Sequence, residues 1–595
     1  MNVDRYPSLG AALMDGLDRW ADHTCLVESD RERERERITF AEFRERALPF
    51  AAFLDGAGFG PRDRAAILMT NQSKWLLAAY AIFHRAGVLV PLDAKLAAAE
   101  QLRLLAHAKP RVLVVEFHLW RALAAESAFA ALAVPLVIVT EAPSAPPAGP
   151  GGVRVRRWED ARAGAASIEL APAQRDDVAC IVYSSGTGGR AKGCVLTHDN
   201  YLQQLHALLS LHPFAPGVRY LSILPTNHAI DFMVGFVGPF VCGATVVHLR
   251  TMRPEFVKDA LVRYRITHLA VVPLVLRNLE TSLRERFAAL PPLRRAALRL
   301  AIALHGLFGR GRPNPRLARR LLRPVHEAFG GALEAMFVGG AATVPRTLSF
   351  FHGLGIPVAN GYGLTEAGTA ITLDRLDPPR PDTVGTPLPG TEVRIDAPDD
   401  GGVGEILARG RTIMRGYLDD PELTRETIVD GWLRTGDLGC LEPSGHLRIL
   451  GRRKNMIVTE GGKNVYPEDV EGAFGDLPGV KEHCVFAAHY LWKERQGSDE
   501  RLLLVVRPDP AEYASILTDY VAFRDAIEAR NRRLFDFQRV QGFLIWDDEF
   551  PRTASMKLRR DDLAAQVGAR FGERVAVASP DGATIEVERG VISLS

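Results

Sequence analysis

The sequence predicts an α/β protein: a large N-terminal domain of helix-covered sheets with a β-rich subdomain, then a small α+β C-terminal domain. Three observations predict it. From Arg64 onward, short apolar runs alternate with amphipathic stretches at the spacing of β-α-β units. Around 384–390 and 404–406 the pattern turns to short strands punctuated by Gly and Pro. Segment 451–467 closes the large domain and opens a smaller one, dividing the chain into 1–453 and 454–595.

The elements follow in order. Residues 1–60 read as helix, hairpin and helix, the alternating charges from Asp30 to Arg37 being a solvated hairpin tip. Apolar runs at 65–69, 88–92 and 112–115 alternate with helices expected over 74–84 and about 98–107, which calls for a parallel sheet covered by helices. The Pro/Gly/Ala-rich stretch 143–152 is a surface linker. A helix over about 200–211 is followed by the strand-like 221–224, His228 and an apolar run from Phe232 to Val247. That run contains Pro239 and glycines and falls short of a bilayer span. Beyond Lys557 the chain reads as a helix and a β-like tail, 561–595.

The length of 595 residues is enough for several domains, and a 47% hydrophobic fraction describes an ordinary globular chain. A net charge of +2 carries no signature of nucleic-acid binding. The six cysteines are scattered without C-x-x-C pairing, which predicts reduced thiols and argues against a zinc site or disulfide frame. The N-terminus lacks a signal-peptide layout, so the reading is a cytoplasmic protein. Only ten of the 73 basic residues are lysine, and Lys192, Lys454, Lys463 and Lys557 all fall in the motifs below. Where Arg is the default cation, a Lys can be kept for its compact charge.

Chemistry concentrates in Tyr183-Ser184-Ser185-Gly186-Thr187-Gly188-Gly189-Arg190-Ala191-Lys192-Gly193, between the β-like runs 178–182 and 195–196. Glycines admit backbone N–H groups to phosphate oxygens, the hydroxyls donate further hydrogen bonds, and Lys192 adds positive charge. Alone, such a loop is also a plain hairpin connection. It is not a Walker P-loop, because Lys192 is followed by Gly193, Cys194 and a strand instead of Ser/Thr opening a helix.

The loop resembles the phosphate loop of the acyl-adenylate-forming (AMP-binding) superfamily, Ser/Thr-Ser-Gly-Thr-Thr-Gly-x-Pro-Lys-Gly. Gly188 stands here for the second Thr and Ala191 for the Pro. Five further segments match in the family's order: 337–342, 360–366, 431–439, 451–467 and 551–558, the last with Met556 where the family has Gly. The resemblance implies that Ser184, Ser185, Gly186, Thr187, Gly188, Gly189 and Lys192 hold the phosphates of ATP. It also implies that Gly340, Asn360, Gly361, Tyr362 and Gly363 shape the nucleotide site, with the Tyr362 ring on adenine. Thr365 would touch phosphate, Glu366 would bind Mg²⁺, and Asp437 and Arg452 would meet the ribose.

By the same resemblance, Lys454 is the hinge of a mobile C-terminal lid and Lys557 bridges the substrate carboxylate and the α-phosphate. His228, Phe232 and Gly235 would gate and line an acyl pocket. Gly461, Gly462 and Lys463 would belong to the thiol tunnel, and the spacing from Lys454 to Asn464 is similar to that of long-chain fatty acyl-CoA synthetases.

The implied reaction joins ATP and a medium- or long-chain fatty acid as acyl-AMP, then transfers the acyl group to CoA with release of AMP and pyrophosphate. Two other readings stand beside it. One hands the acyl group to a carrier-protein phosphopantetheine. The other, motivated by Gly188, Ala191 and Met556, is a non-catalytic nucleotide or acyl-AMP binder. Residues 277–323, with twelve arginines among Leu and Ala, read as amphipathic surface helices or as a basic face meeting an anionic membrane.

Overall fold

The computed structural model describes all residues except 1, 144, 147, 163–167, 185–191, 310, 459–463, 493–500, 511–515, 517–519, 554–557, 572–574, 579–583, 588–591 and 594–595. The chain forms two compact units, one of Met1–Arg394, Leu407–Arg434 and Pro443–Leu447, the other of Ile395–Ile406, Thr435–Glu442 and Arg448–Ser595.

The first unit contains two large sheets. One has eight strands in the order Gly416–Tyr417, Lys192–Thr197, Val178–Ser184, Val88–Leu92, Arg64–Leu68, Val112–Glu116, Leu136–Thr140 and Arg154–Arg157. From Val178–Ser184 to Arg154–Arg157 all neighbours are parallel. Such a sheet must bury both faces, and it does. In Arg64–Leu68, Ala65 and Ile67 enter one core cluster while Ala66 and Leu68 enter another. The helices Ser73–His84 and Ala98–Ala108 lie where the apolar periodicity predicts them.

The second sheet has nine strands, with Thr24–Asp30, Thr245–Leu249, Arg219–Ser222, His268–Val271, Ala335–Val338 and Val358–Tyr362 running parallel through its centre. Thr24–Asp30 pairs there with Thr245–Leu249, far from it in sequence, so only packing decides that neighbour.

Two local expectations are refined. The helix expected from about residue 200 begins at His198, because Thr197 Oγ1 accepts the Asn200 N–H while the Asn200 side chain accepts the Thr197 N–H. The apolar run 232–247 is no single element. It divides into Ala229–Phe232, a π-helical turn Met233–Val237, the helix Gly238–Cys242 and the strand Thr245–Leu249. Gly243, at φ +79°, makes the last break by capping the helix in the left-handed region.

Segment 391–452 is built largely of strands, as the β-rich reading predicts, and contributes residues to each unit. In the second unit, strands Val480–Ala487, Leu502–Pro508, Val540–Ile545 and Ile592–Ser593 form a sheet. Helices cover both of its faces: Leu502, Leu504 and Val506 pack with Val470, Phe523 and Ile527, and Leu503 and Val505 with Leu563 and Val567. All six cysteines are free thiols, and among the described residues no helix is long and apolar enough to cross a membrane.

Candidate active site

The site in the first unit is built on a hairpin. Val178–Ser184 and Lys192–Thr197 pair antiparallel with Ser184 opposite Lys192, so the register holds together the two ends of loop 185–191. Within that loop, Ser185, Gly186, Thr187, Gly188 and Gly189 lie outside the described residues. The other edge of Lys192–Thr197 pairs with Gly416–Tyr417, placing Tyr417 opposite Cys194. The Tyr417 ring centre is 5.4 Å from Lys192 Nζ, within cation–π reach.

Tyr417 also reaches Glu366: its hydroxyl donates to Oε1 at 3.0 Å. Burial, reinforced by the Glu366 carboxylate, pushes the phenol well above the usual tyrosine range, so Tyr417 remains a donor. Glu366 sits on the 3₁₀ turn Thr365–Ala367, and its carbonyl is pinned by the Met414 N–H at 2.8 Å. Strand pairing thus brings 192 and 417 together, and hydrogen bonds hold Glu366 beside Tyr417. Nothing in the local sequence around Tyr417 announces this role.

Strand Val358–Tyr362 carries Asn360, Gly361 and Tyr362 up to that turn, and Tyr362 is buried. Asn360 Nδ2 donates to the Thr383 carbonyl at 2.9 Å and its Oδ1 accepts from Thr343 Oγ1 at 3.3 Å, so it ties two loops to the strand. The glycines are required by space. A Cβ at Gly363 would lie 1.9 Å from the Thr369 carbonyl oxygen, and one at Gly339 3.0 Å from that of Gly361. Gly340 turns the chain at φ +85°.

His228 precedes the short helix Ala229–Phe232, with Nε2 3.8 Å from Asp93 Oδ2. Phe232 is buried among rings, with centroids of Trp75, Tyr201 and Phe236 at 6.3, 5.1 and 5.9 Å. Gly235, in the π-helical turn, leaves room for a carboxylate that sequence reasoning missed: a Cβ there would be 2.7 Å from Asp231 Oδ1. Asp231 is fully buried and receives the hydroxyls of Tyr220 at 3.0 Å and Ser222 at 2.8 Å, with Thr226 Oγ1 also 3.0 Å away. Burial outweighs these bonds and raises its pKa to about 6. The Thr226 N–H donates to Asn71 Oδ1 at 2.9 Å, so His228 lies between two anchored residues.

In the second unit, Arg452 Nε meets the buried Asp437 carboxylate at 2.9 Å, joining two residues singled out from sequence. Arg453 pairs with Glu405 at 3.0 Å. Lys454 occupies the turn Arg453–Asn455, with Nζ 3.7 Å from Asp561 Oδ2. Burial lowers the Lys454 pKa, and Asp561 opposes that shift. Gly461, Gly462, Lys463 and Lys557 lie outside the described residues. Among the described residues no group of three or more His, Cys, Asp or Glu side chains could hold a metal ion.

A family model described as AMP-binding enzyme matches residues 15–418. The chain is 30% identical over 568 residues to the 3-[(3aS,4S,7aS)-7a-methyl-1,5-dioxo-octahydro-1H-inden-4-yl]propanoyl:CoA ligase of Rhodococcus jostii (strain RHA1), covering 93% of this chain and 97% of the relative. It is 30% identical to the long-chain-fatty-acid–CoA ligase FadD15 of Mycobacterium bovis (strain ATCC BAA-935 / AF2122/97), covering 80% of this chain and 76% of that one. Among solved structures, ATP-bound MatB from Rhodopseudomonas palustris superposes with a TM-score of 0.72 at 24% identity, over 96% of this chain and 99% of that one. The chain belongs to the AMP-binding enzyme family. Within it, this is an acid–thiol ligase.

Proposed function

We propose that the protein uses ATP to activate a medium- or long-chain fatty acid and passes the acyl group to CoA. The convergence of Lys192, Tyr417 and Glu366 at the mouth of the 184–192 hairpin carries this reading. It sets a positive charge and a hard carboxylate beside the segment whose composition suits a polyphosphate. The relatives named as CoA ligases and the ATP-bound structural neighbour support ATP and CoA as co-substrates. The FadD15 relative supports a long acyl chain.

In the first step a carboxylate oxygen attacks the α-phosphorus of ATP, and pyrophosphate leaves with the electrons of the broken P–O bond. In the second, the CoA thiol loses its proton, sulfur attacks the acyl carbon and AMP departs. The obstacle in the first step is the meeting of two anions. Lys192 would offset the charge of the phosphates, Lys557 would bridge the carboxylate and the α-phosphate, and Tyr362 and Asp437 would meet base and ribose.

Glu366 would hold Mg²⁺ together with the phosphates, since that ion usually takes only one or two protein carboxylates. When bound, Mg²⁺ supplies neutralising charge to the phosphate oxygens. Tyr417, occupying Oε1, orients the carboxylate for that role. For the second step the 454–595 lid turns about Lys454, withdrawing Lys557 and admitting the thiol. His228, Phe232 and Gly235 border the acyl chain.

The test is carboxylate-dependent ATP–pyrophosphate exchange across short, medium, long and aromatic acids, followed by product analysis with CoA and with a pantetheinylated carrier protein. Exchange with medium or long fatty acids and acyl-CoA formation are expected. Exchange confined to ring-bearing acids, or acyl transfer only to the carrier, would overturn the corresponding half of the proposal.

A further inference from the structure

Helix Pro292–Phe308 has two apolar faces. Leu298, Ala301 and Ile302 pack inward on the core of the first unit, with His305 buried beside them. The opposite face meets solvent: Leu293 is 86% exposed, Leu300 60%, Leu307 71% and Phe308 66%. Leu293, Leu300 and Leu307 recur about every two helical turns, so they form one stripe, filled in by exposed Ala296 and Ala303. A contiguous exposed apolar surface of this kind marks an interaction site.

The rim identifies the partner. Arg294 and Arg299 are exposed on either side of the stripe, and from Arg286 to His326 the sequence holds ten arginines and no Asp or Glu. A second copy of the same face would bring like charges together, and a nucleic acid would leave the leucines in water. An anionic phospholipid bilayer satisfies both features, with acyl chains for the stripe and phosphates for the arginines. Among the described residues no helix is long and apolar enough to cross a membrane, so the mode is interfacial.

We propose that helix Pro292–Phe308 docks the protein on an anionic lipid bilayer, its leucine stripe entering the headgroup boundary and its arginines lying against lipid phosphates. The surface is independent of which carboxylic acid the site activates.

The experiment is flotation of the full-length protein with phosphatidylcholine vesicles, with and without phosphatidylglycerol. Wild type is expected to float with the anionic vesicles and to bind the neutral ones at least ~tenfold more weakly. High salt should weaken the anionic binding. Leu300→Glu/Leu307→Glu should abolish flotation, and Arg294→Gln/Arg299→Gln should weaken it by ~tenfold or more. Both variants should keep the wild-type melting temperature and pyrophosphate exchange on a soluble medium-chain acid. Absence of wild-type flotation, or flotation unchanged in both variants, would overturn the proposal. So would a lipid-free dimer that the leucine substitutions dissociate, since the stripe would then join two copies of the chain.

Discussion

Tyr417 donates a 3.0 Å hydrogen bond to Glu366, and its ring lies 5.4 Å from Lys192 Nζ. One side chain therefore touches both the carboxylate and the cation assigned to the polyphosphate. Removing only the hydroxyl isolates its contribution. Tyr417→Phe is expected to lower kcat/KM for MgATP by roughly five- to tenfold, the worth of an ordinary hydrogen bond, with the cation–π contact retained. Steady-state kinetics at varied MgATP checks this, and an unchanged value would show that Glu366 needs no orienting partner.

Asp437 is buried, whereas its partner Arg452 is 43% exposed. Losing the ion pair should therefore cost little stability, because exposed charges are screened. Losing the proposed ribose acceptor should not be so mild. Asp437→Ala is expected to raise KM for ATP roughly ten- to a hundredfold while leaving the melting temperature within a few degrees of wild type. Parallel melting and kinetic curves separate the two effects.

Lys557 is assigned to the first half-reaction alone. Lys557→Ala is expected to cut acyl-AMP formation by roughly a hundred- to a thousandfold, as loss of a preorganised donor does. Thioester formation from supplied acyl-AMP should continue. Equal loss in both halves, measured by single-turnover assays, would contradict that division of labour.

Burial holds the Asp231 carboxyl at about 6, against an ordinary 3.8. The folded chain thus keeps a proton that the unfolded chain releases. The stability contributed is fully present below about pH 4, falls as pH rises through that window, and is lost above about pH 6. Asp231→Asn removes the dependence. The stability of wild type relative to the variant should decline by about 2 kcal/mol between pH 4 and pH 7, read from urea unfolding at each pH.

Gly363 and Gly306 predict opposite outcomes for the same change. A Cβ at Gly363 would lie 1.9 Å from a backbone oxygen, whereas one at Gly306 would meet nothing within 4 Å. Gly363→Ala is expected to destabilise by about 1–3 kcal/mol and to impair adenylation, because backbone atoms must shift. Gly306→Ala, at an exposed position inside a helix, should stabilise by about 0.5–1 kcal/mol. Urea unfolding curves of the two variants decide both.

Much of this protein was legible in its residues taken in order. The α/β alternation and the hairpin flanking loop 185–191 both depend on local periodicity and turn chemistry. Those properties are carried by neighbouring residues, so a linear reading finds them. The same reading placed the helix 198–211 two residues late, because the cap is a reciprocal pair of bonds between Thr197 and Asn200, not a pattern of apolar residues.

The tertiary structure alone decided which distant residues meet. Gly416–Tyr417 joins the sheet beside Lys192–Thr197, Asp561 comes to Lys454, and Asn71 reaches Thr226 beside the Asp231 carboxylate. An isolated tyrosine or aspartate has no local signature for such a role. Its environment is made when sheets order their strands by burying both faces, a choice that rests on contacts between segments hundreds of residues apart. The Arg-rich helix divides in the same way. Its basic composition was already plain in the sequence, but only packing decided that Leu298 and Ile302 would be covered and Leu300 and Leu307 left in water.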